Sequence, residues 1–214
     1  MKKQLLLIVI MSVCLQLYSQ SGDSKGSEIF SDIYGLINRK DFFNARDKFT
    51  LNSNKLPISS QNILRALLDN AFNGTALSNE NINKIFISKN EQIADSLKLK
   101  LLEIRQDNAA KLYNYNEALN AVTEIIKNYS HILPADELEE MKNMRMLWTI
   151  LKDQPSQEVK LVGKTEIKMS KDLAGLNNLQ VKANKHIIDF IFDTGANLST
   201  VTRSTAEKLG MNII

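Results

Sequence analysis

Apolar residues recur at helical spacing from Ser27 to Asp153. Ile29, Ile33 and Leu36 fall on one face, and after the Arg39-Lys40-Asp41 break Phe42, Ala45 and Phe49 fall on another. Ser59-Ser60 offers an N-cap for a helix carrying Ile63, Leu64, Leu67 and Leu68, with an end near Asn73-Gly74. Leu97, Leu101, Ile104 and Leu112 predict a long helix, and Ala118, Val122, Ile125 and Tyr129 a second. Leu138, Met141, Met144, Trp148 and Leu151 predict a last one, with Asp136 as its cap. Beyond Gln154-Pro155-Ser156-Gln157 the period changes. Thr165–Met169 and Leu179–Lys182 alternate polar and apolar as half-buried strands do, and Ala183-Asn184-Lys185 reads as a turn. His186–Phe192 reads as a strand with an apolar end, and a short helix follows, capped by Ser204 and stopped by Gly210.

The N-terminus has a different character. Lys2 and Lys3 precede an apolar stretch, Leu5 to Leu15, broken only by Ser12; it is too short to span a bilayer and suits the apolar part of a signal peptide. Cleavage is expected after Ser19, although Leu17 is larger than the small residue usual at that place. The expected organisation is therefore 1–19 signal peptide, 20–26 polar linker, 27–153 helical repeat-like domain and 157–214 β-rich domain.

Composition changes the picture in two ways. Of 214 residues, 43% are hydrophobic and 24% charged, which excludes a chain disordered throughout. The formal net charge is +3, but residues 1–19 carry two lysines and no acid, so the mature chain sits at +1 and a nucleic-acid partner is not indicated. One Cys forms no internal disulfide, and Cys14 with two histidines, His131 and His186, supplies no metal cluster, so no metal and no cofactor are expected. Cys14 follows Met11-Ser12-Val13, and Val13 stands where a lipobox has a small residue. Membrane contact is expected only if Cys14 is lipidated, and the location otherwise is the periplasm or the exterior.

Two turns in the helical region share a pattern, Asp41-Phe42-Phe43-Asn44-Ala45 and Asn114-Tyr115-Asn116-Glu117-Ala118. Each has a polar residue, an aromatic, two more residues and an Ala small enough to let two helices approach. The pattern resembles the helix–turn–helix join of tetratricopeptide repeats, whose unit is about 34 residues. Ala45 and Ala118 lie about two such units apart, with a degenerate unit between. The resemblance implies a concave surface for a peptide or protein partner; a spacer role is the plainer alternative. Met141, Met144 and Trp148 at helical spacing read as core, and His131 as a helix-end residue.

Asp193-Thr194-Gly195-Ala196-Asn197-Leu198-Ser199 carries the candidate chemistry. A strand that buries Phe190, Ile191 and Phe192 would deliver the following carboxylate to the edge of an apolar core, and Gly195 would bring backbone N–H groups close to it. Two carboxylates brought together share one proton and can activate a water as base and acid. An ordinary turn is the bland alternative; an aspartyl-phosphate site is not, because Lys is absent between Asp193 and Thr194.

Ile191-Phe192, Asp193-Thr194-Gly195-Ala196, the two residues after them and Ser199 match the signature of the retropepsin-like aspartic proteases, and the chain resembles that family over residues 157–214. The resemblance implies that Asp193 is the catalytic aspartate, that Thr194 makes a hydroxyl contact between loops, and that Gly195, with Ala196 and Ser199, holds the loop. Together with the helical spacing over 27–153, it implies an α+β chain: an all-α array of helical hairpins followed by the N-terminal half of an all-β retropepsin-like domain. The implied function is that of an exported bacterial aspartic endopeptidase acting on polypeptides, with a second aspartate from a homodimer partner or from further sequence. The flap hairpin and the later apolar-apolar-Gly segment of that family have no counterpart here, so a fragment, inactive alone, is expected. The alternative is a periplasmic binding or scaffold protein that functions through its helical array.

Overall fold

In the computed structural model, residues 25–88, 93–156, 158, 160, 162–196 and 198–213 are described. The expected signal peptide and Cys14 lie outside them, as does Asn197. The chain divides into two compact units, Met1–Ser156 and Gln157–Ile214.

Seven helices fill the described part of the first unit: α1 (25–38), α2 (Phe42–Asn52), α3 (Ile58–Ala71), α4 (Thr75–Ile87), α5 (Asp95–Lys111), α6 (Tyr115–Tyr129) and α7 (Ala135–Leu151). Three joins share one construction. Lys40, Asn73 and Tyr113 adopt positive φ, at 61°, 61° and 56°, just past the ends of α1, α3 and α5. In each join the next N–H reaches back five residues: Asp41 to Leu36 at 3.0 Å, Gly74 to Asp69 at 2.6 Å and Asn114 to Ala109 at 2.8 Å. The positive-φ residue itself donates three residues back, to Ile37, Asn70 and Ala110. This pair of bonds satisfies carbonyls that a helix end leaves open and turns the chain back on itself.

Four residues after each turn stands a small side chain with no exposed surface: Ala45, Ser78 and Ala118. The middle join is the one that the sequence disguises, because Ser78 replaces Ala. Its hydroxyl donates to the Ala66 carbonyl at 2.7 Å and so stays satisfied inside the helix pair. Two longer joins also match: short 3-10 turns, Ser53–Lys55 and Ser130–Ile132, run into Leu56-Pro57 and Leu133-Pro134. Proline holds the preceding Leu extended, with ψ of 144° and 138°. Pro57 and Pro134 therefore occupy the N-cap positions expected at Ser59-Ser60 and Asp136, and Asp136 lies in the first turn of α7 instead.

One core cluster joins Ile33, Ile37, Ala45, Leu56, Leu64, Leu67, Ile82 and Leu101, across α1 to α5. A second joins Leu102, Ile125 and Tyr129, with Met141 of α7 packed against it. Trp148, 1% exposed, stacks on Tyr115 with ring centroids 5.9 Å apart. The first cluster has a polar seam: Asn108 of α5, wholly buried, accepts from Asn70 of α3 at 3.0 Å and donates to Asn79 of α4 at 3.1 Å.

The second unit holds β1 (Ser170–Lys171), β2 (Asn177–Ala183), β3 (His186–Ile191) and the short helix α8 (Arg203–Lys208). The strands form one antiparallel sheet in the order β1-β2-β3. Pairing Leu179 with Phe190 and Val181 with Ile188 puts these four on one half-buried face, while Gln180 and Asp189 pair on the other. Such alternation is the signature of a sheet with one covered face.

The expected fold class is corrected here. The described chain is mainly helical, and its only sheet has three strands; it is not half of an all-β retropepsin-like domain. The physical reason is a small core. Among the described residues of this unit only Asn178, Ala206 and Leu209 are buried, while Ile187, Ile191 and Phe192 remain 63%, 57% and 45% exposed. The alternation at Thr165–Met169 forms no strand: Ile167 and Met169 are both exposed, so neither face gains burial, and pairing begins only at Ser170.

Candidate catalytic loop

β3 ends at Ile191, two residues before Asp193. The Phe192 N–H donates to the Asn177 carbonyl at 2.8 Å, which carries the pairing past Ile191 and fixes the entry to the loop. The chain then turns at Asp193. Gly195 N–H donates to Asp193 Oδ1 at 2.8 Å, and Ala196 N–H to the Asp193 carbonyl at 3.3 Å. A Cβ at position 195 would stand 3.3 Å from that carboxylate oxygen. A side chain here would therefore crowd the carboxylate, which would have to give by a few tenths of an ångström, and no left-handed backbone is involved.

The exit is held by α8. Thr202 Oγ1 accepts the Thr205 N–H at 3.2 Å and caps the helix, two residues before the expected cap Ser204. At the other end Gly210, at φ +66°, donates to the Glu207 carbonyl at 3.0 Å, and Met211 N–H reaches Ala206 at 2.9 Å. Asn184, itself at φ 54° in the β2–β3 turn, donates from its side chain to the Leu209 carbonyl at 2.6 Å. The hairpin and the helix that flank the loop are therefore fastened to each other, and both ends of residues 192–202 are fixed.

The motif residues sit close together along the chain, but in more open surroundings than the apolar pattern predicts. Asp193, Thr194, Gly195, Ala196 and Ser199 are all exposed, and Phe190 is the one half-buried residue of the apolar strand end at 190–192. The carboxylate is consequently a solvent-facing acid and not one delivered to the edge of a closed core. Thr194 and Ser199 form no hydrogen bond among the described residues. His186 is exposed at the start of β3, opposite Ala183, and Asp189 is exposed opposite Gln180. Among the described residues no group of three or more His, Cys, Asp or Glu side chains is placed to hold a metal ion.

Two features of this unit escape sequence reasoning. Asp172, in the β1–β2 loop, accepts the N–H groups of Ala174 and Leu176, both at 2.9 Å; the Leu176 bond first, then the Asn178 side chain, hold its carboxyl below the ordinary range. An Asp two residues before an Ala is too common to single out. A hollow of about 480 Å³ also lies on the sheet, lined by Ser170, Asn178, Gln180 and Asp189 together with residues 166–169. None of the five motif residues lines it.

No protein-family model, curated protein or solved structure matches the chain. The chemistry of the loop therefore rests on its own geometry: one carboxylate, one oxygen engaged by a backbone N–H, and the other oxygen free to take or share a proton.

Proposed function

We propose that the chain supplies the catalytic loop of an exported bacterial aspartic endopeptidase, with Asp193 as one of a pair of aspartates. In that reaction the pair carries one proton between its two carboxyl groups. The ionised member takes a proton from a water as the water oxygen bonds to the peptide carbonyl carbon. The protonated member gives its proton to the carbonyl oxygen, and collapse of the resulting diol breaks the C–N bond with proton transfer to the leaving amine. The observation that carries this reading is the 2.8 Å bond from Gly195 N–H to Asp193 Oδ1, which leaves Oδ2 for the shared proton. The second aspartate comes from a homodimer partner or from further sequence, and the expected substrate is unfolded polypeptide.

Cleavage of an unfolded polypeptide by the full-length protein, compared with its Asp193→Asn variant, tests the reading. Loss of cleavage by about a hundredfold or more is expected, as for removal of a group that acts as acid and base; equal cleavage by the variant would overturn it.

A second reading is a periplasmic binding or scaffold protein that works through its helical array. It is favoured by a cleft of about 480 Å³ on α2, α3 and α4. An Asp193→Asn variant with unaltered biological activity would favour this reading over the first.

A further inference from the structure

The cleft in the helical unit has a cationic rim and an apolar shelf. Arg46 lies over two aromatic rings, 4.5 Å from the centroid of Phe72 and 5.3 Å from that of Phe43, and these rings meet edge to face at 5.4 Å. Arg65 lies 5.8 Å from the Phe49 centroid. A guanidinium held by its face against an aromatic ring keeps its N–H edge available, and the ring restricts the long side chain so that less entropy is lost on binding.

The acids of the cleft are already engaged. Asp69 Oδ2 accepts from Asn81 at 3.1 Å, and Glu80 pairs with Lys84 at 2.7 Å. Arg65 sits near enough to Asp69 to favour that carboxylate's charged form but makes no ion pair among the described residues, and the nearest carboxylate for Arg46 is its chain neighbour Asp47 at 3.9 Å. Three cations face two acids in the lining, so the cleft favours an anion. Leu77, 57% exposed, and Phe72, 36% exposed, form the shelf beside these cations. A volume of about 480 Å³ takes one or two side chains and not a large cofactor.

We propose that this cleft binds an extended peptide segment in which an Asp or Glu side chain stands next to an apolar one. The carboxylate is taken by the N–H edges of Arg46 and Arg65, and the apolar neighbour rests on Leu77 and Phe72. Two guanidiniums suit a carboxylate because each offers parallel N–H donors. The shelf selects the apolar neighbour, since an exposed Leu beside an aromatic gains by being covered. This inference does not depend on the chemistry at Asp193.

The test is fluorescence anisotropy on the full chain with short labelled peptides, blocked at both termini so that side chains are their only carboxylates. One alternates Leu and Glu, one Leu and Gln, one Ser and Glu. The Leu–Glu peptide is expected to bind, to weaken as salt rises, and to bind more tightly than either control. Arg65→Glu is expected to weaken it by about tenfold or more. Leu77→Glu, at an exposed position, does the same by opposing charge even if Arg65→Glu does not fold. Equal binding of the Leu–Gln peptide, absence of binding by the Leu–Glu peptide, or unchanged affinity in folded Leu77→Glu would overturn the proposal.

Discussion

A methyl group at position 195 would lie 3.3 Å from Asp193 Oδ1, where the Gly195 N–H already donates at 2.8 Å. Gly195→Val is therefore expected to displace the carboxylate and lower polypeptide cleavage by about tenfold or more, since catalysis is sensitive to small misplacements. The loop is exposed, so the melting temperature should barely move, and cleavage measured beside a melting curve separates the two effects. A second residue-scale expectation concerns Glu103. Burial, and then the neighbouring Glu137, raise its pKa, against the opposing pull of Lys100. A carboxyl with a raised folded-state pKa disfavours the fold when ionised, and the penalty fades as pH falls through that pKa. Glu103→Gln should thus stabilise the chain at neutral pH, by less than about 1 kcal/mol for so partly buried a group, and the gain should vanish in acid. Urea unfolding at both pH values checks this. Asp193 and Gly195 could be singled out in the sequence, because residue type and order alone define that loop. Arg46 and Arg65 were not, because only the packing of α2 against α3 brings residues so far apart in sequence to one cleft.

At the scale of elements, the helical joins depend on three residues at positive φ, none of them glycine. Lys40 bears the steric cost of that conformation, which Asn as a residue type tolerates better. Lys40→Gly should raise stability by about 0.5–1 kcal/mol, the relief exceeding the added flexibility of the unfolded chain. The buried amide seam makes an opposite prediction. Asn108→Ala leaves Asn70 and Asn79 each short of a partner and should cost about 2 kcal/mol or more, whereas Asn79→Ala removes only one contact of the seam and should cost less. Denaturant midpoints of the two variants decide it. The joins at Ala45 and Ala118 were readable because a small residue follows an aromatic at fixed spacing. The join at Ser78 was not, since it has the same backbone built from Asn-Gly and Ser. The strand expected at Thr165–Met169 failed for a different reason: alternation specifies a strand only where one face has something to cover it, and there both apolar side chains stay exposed.

At the scale of the whole molecule, the chain joins a helical unit with continuous cores to a second unit whose sheet is covered on one face only. The change of period near Gln157 made the division between the units visible. It could not show how little the second unit buries, because burial depends on what packs against the strands and not on the strands' own pattern. The apolar run at 190–192 promised a closed core around Asp193, and most of it faces solvent instead. An exposed, single aspartate is no catalyst of this type by itself, so the account requires a second aspartate, from another copy or from further sequence. The direct measurement mixes wild-type chain with Asp193→Asn at constant total concentration and follows cleavage of an unfolded polypeptide. If each site needs one Asp193 from each of two copies, the rate falls as the square of the wild-type fraction and reaches background in the pure variant. A pure variant that cleaves as fast as the wild type would contradict the account.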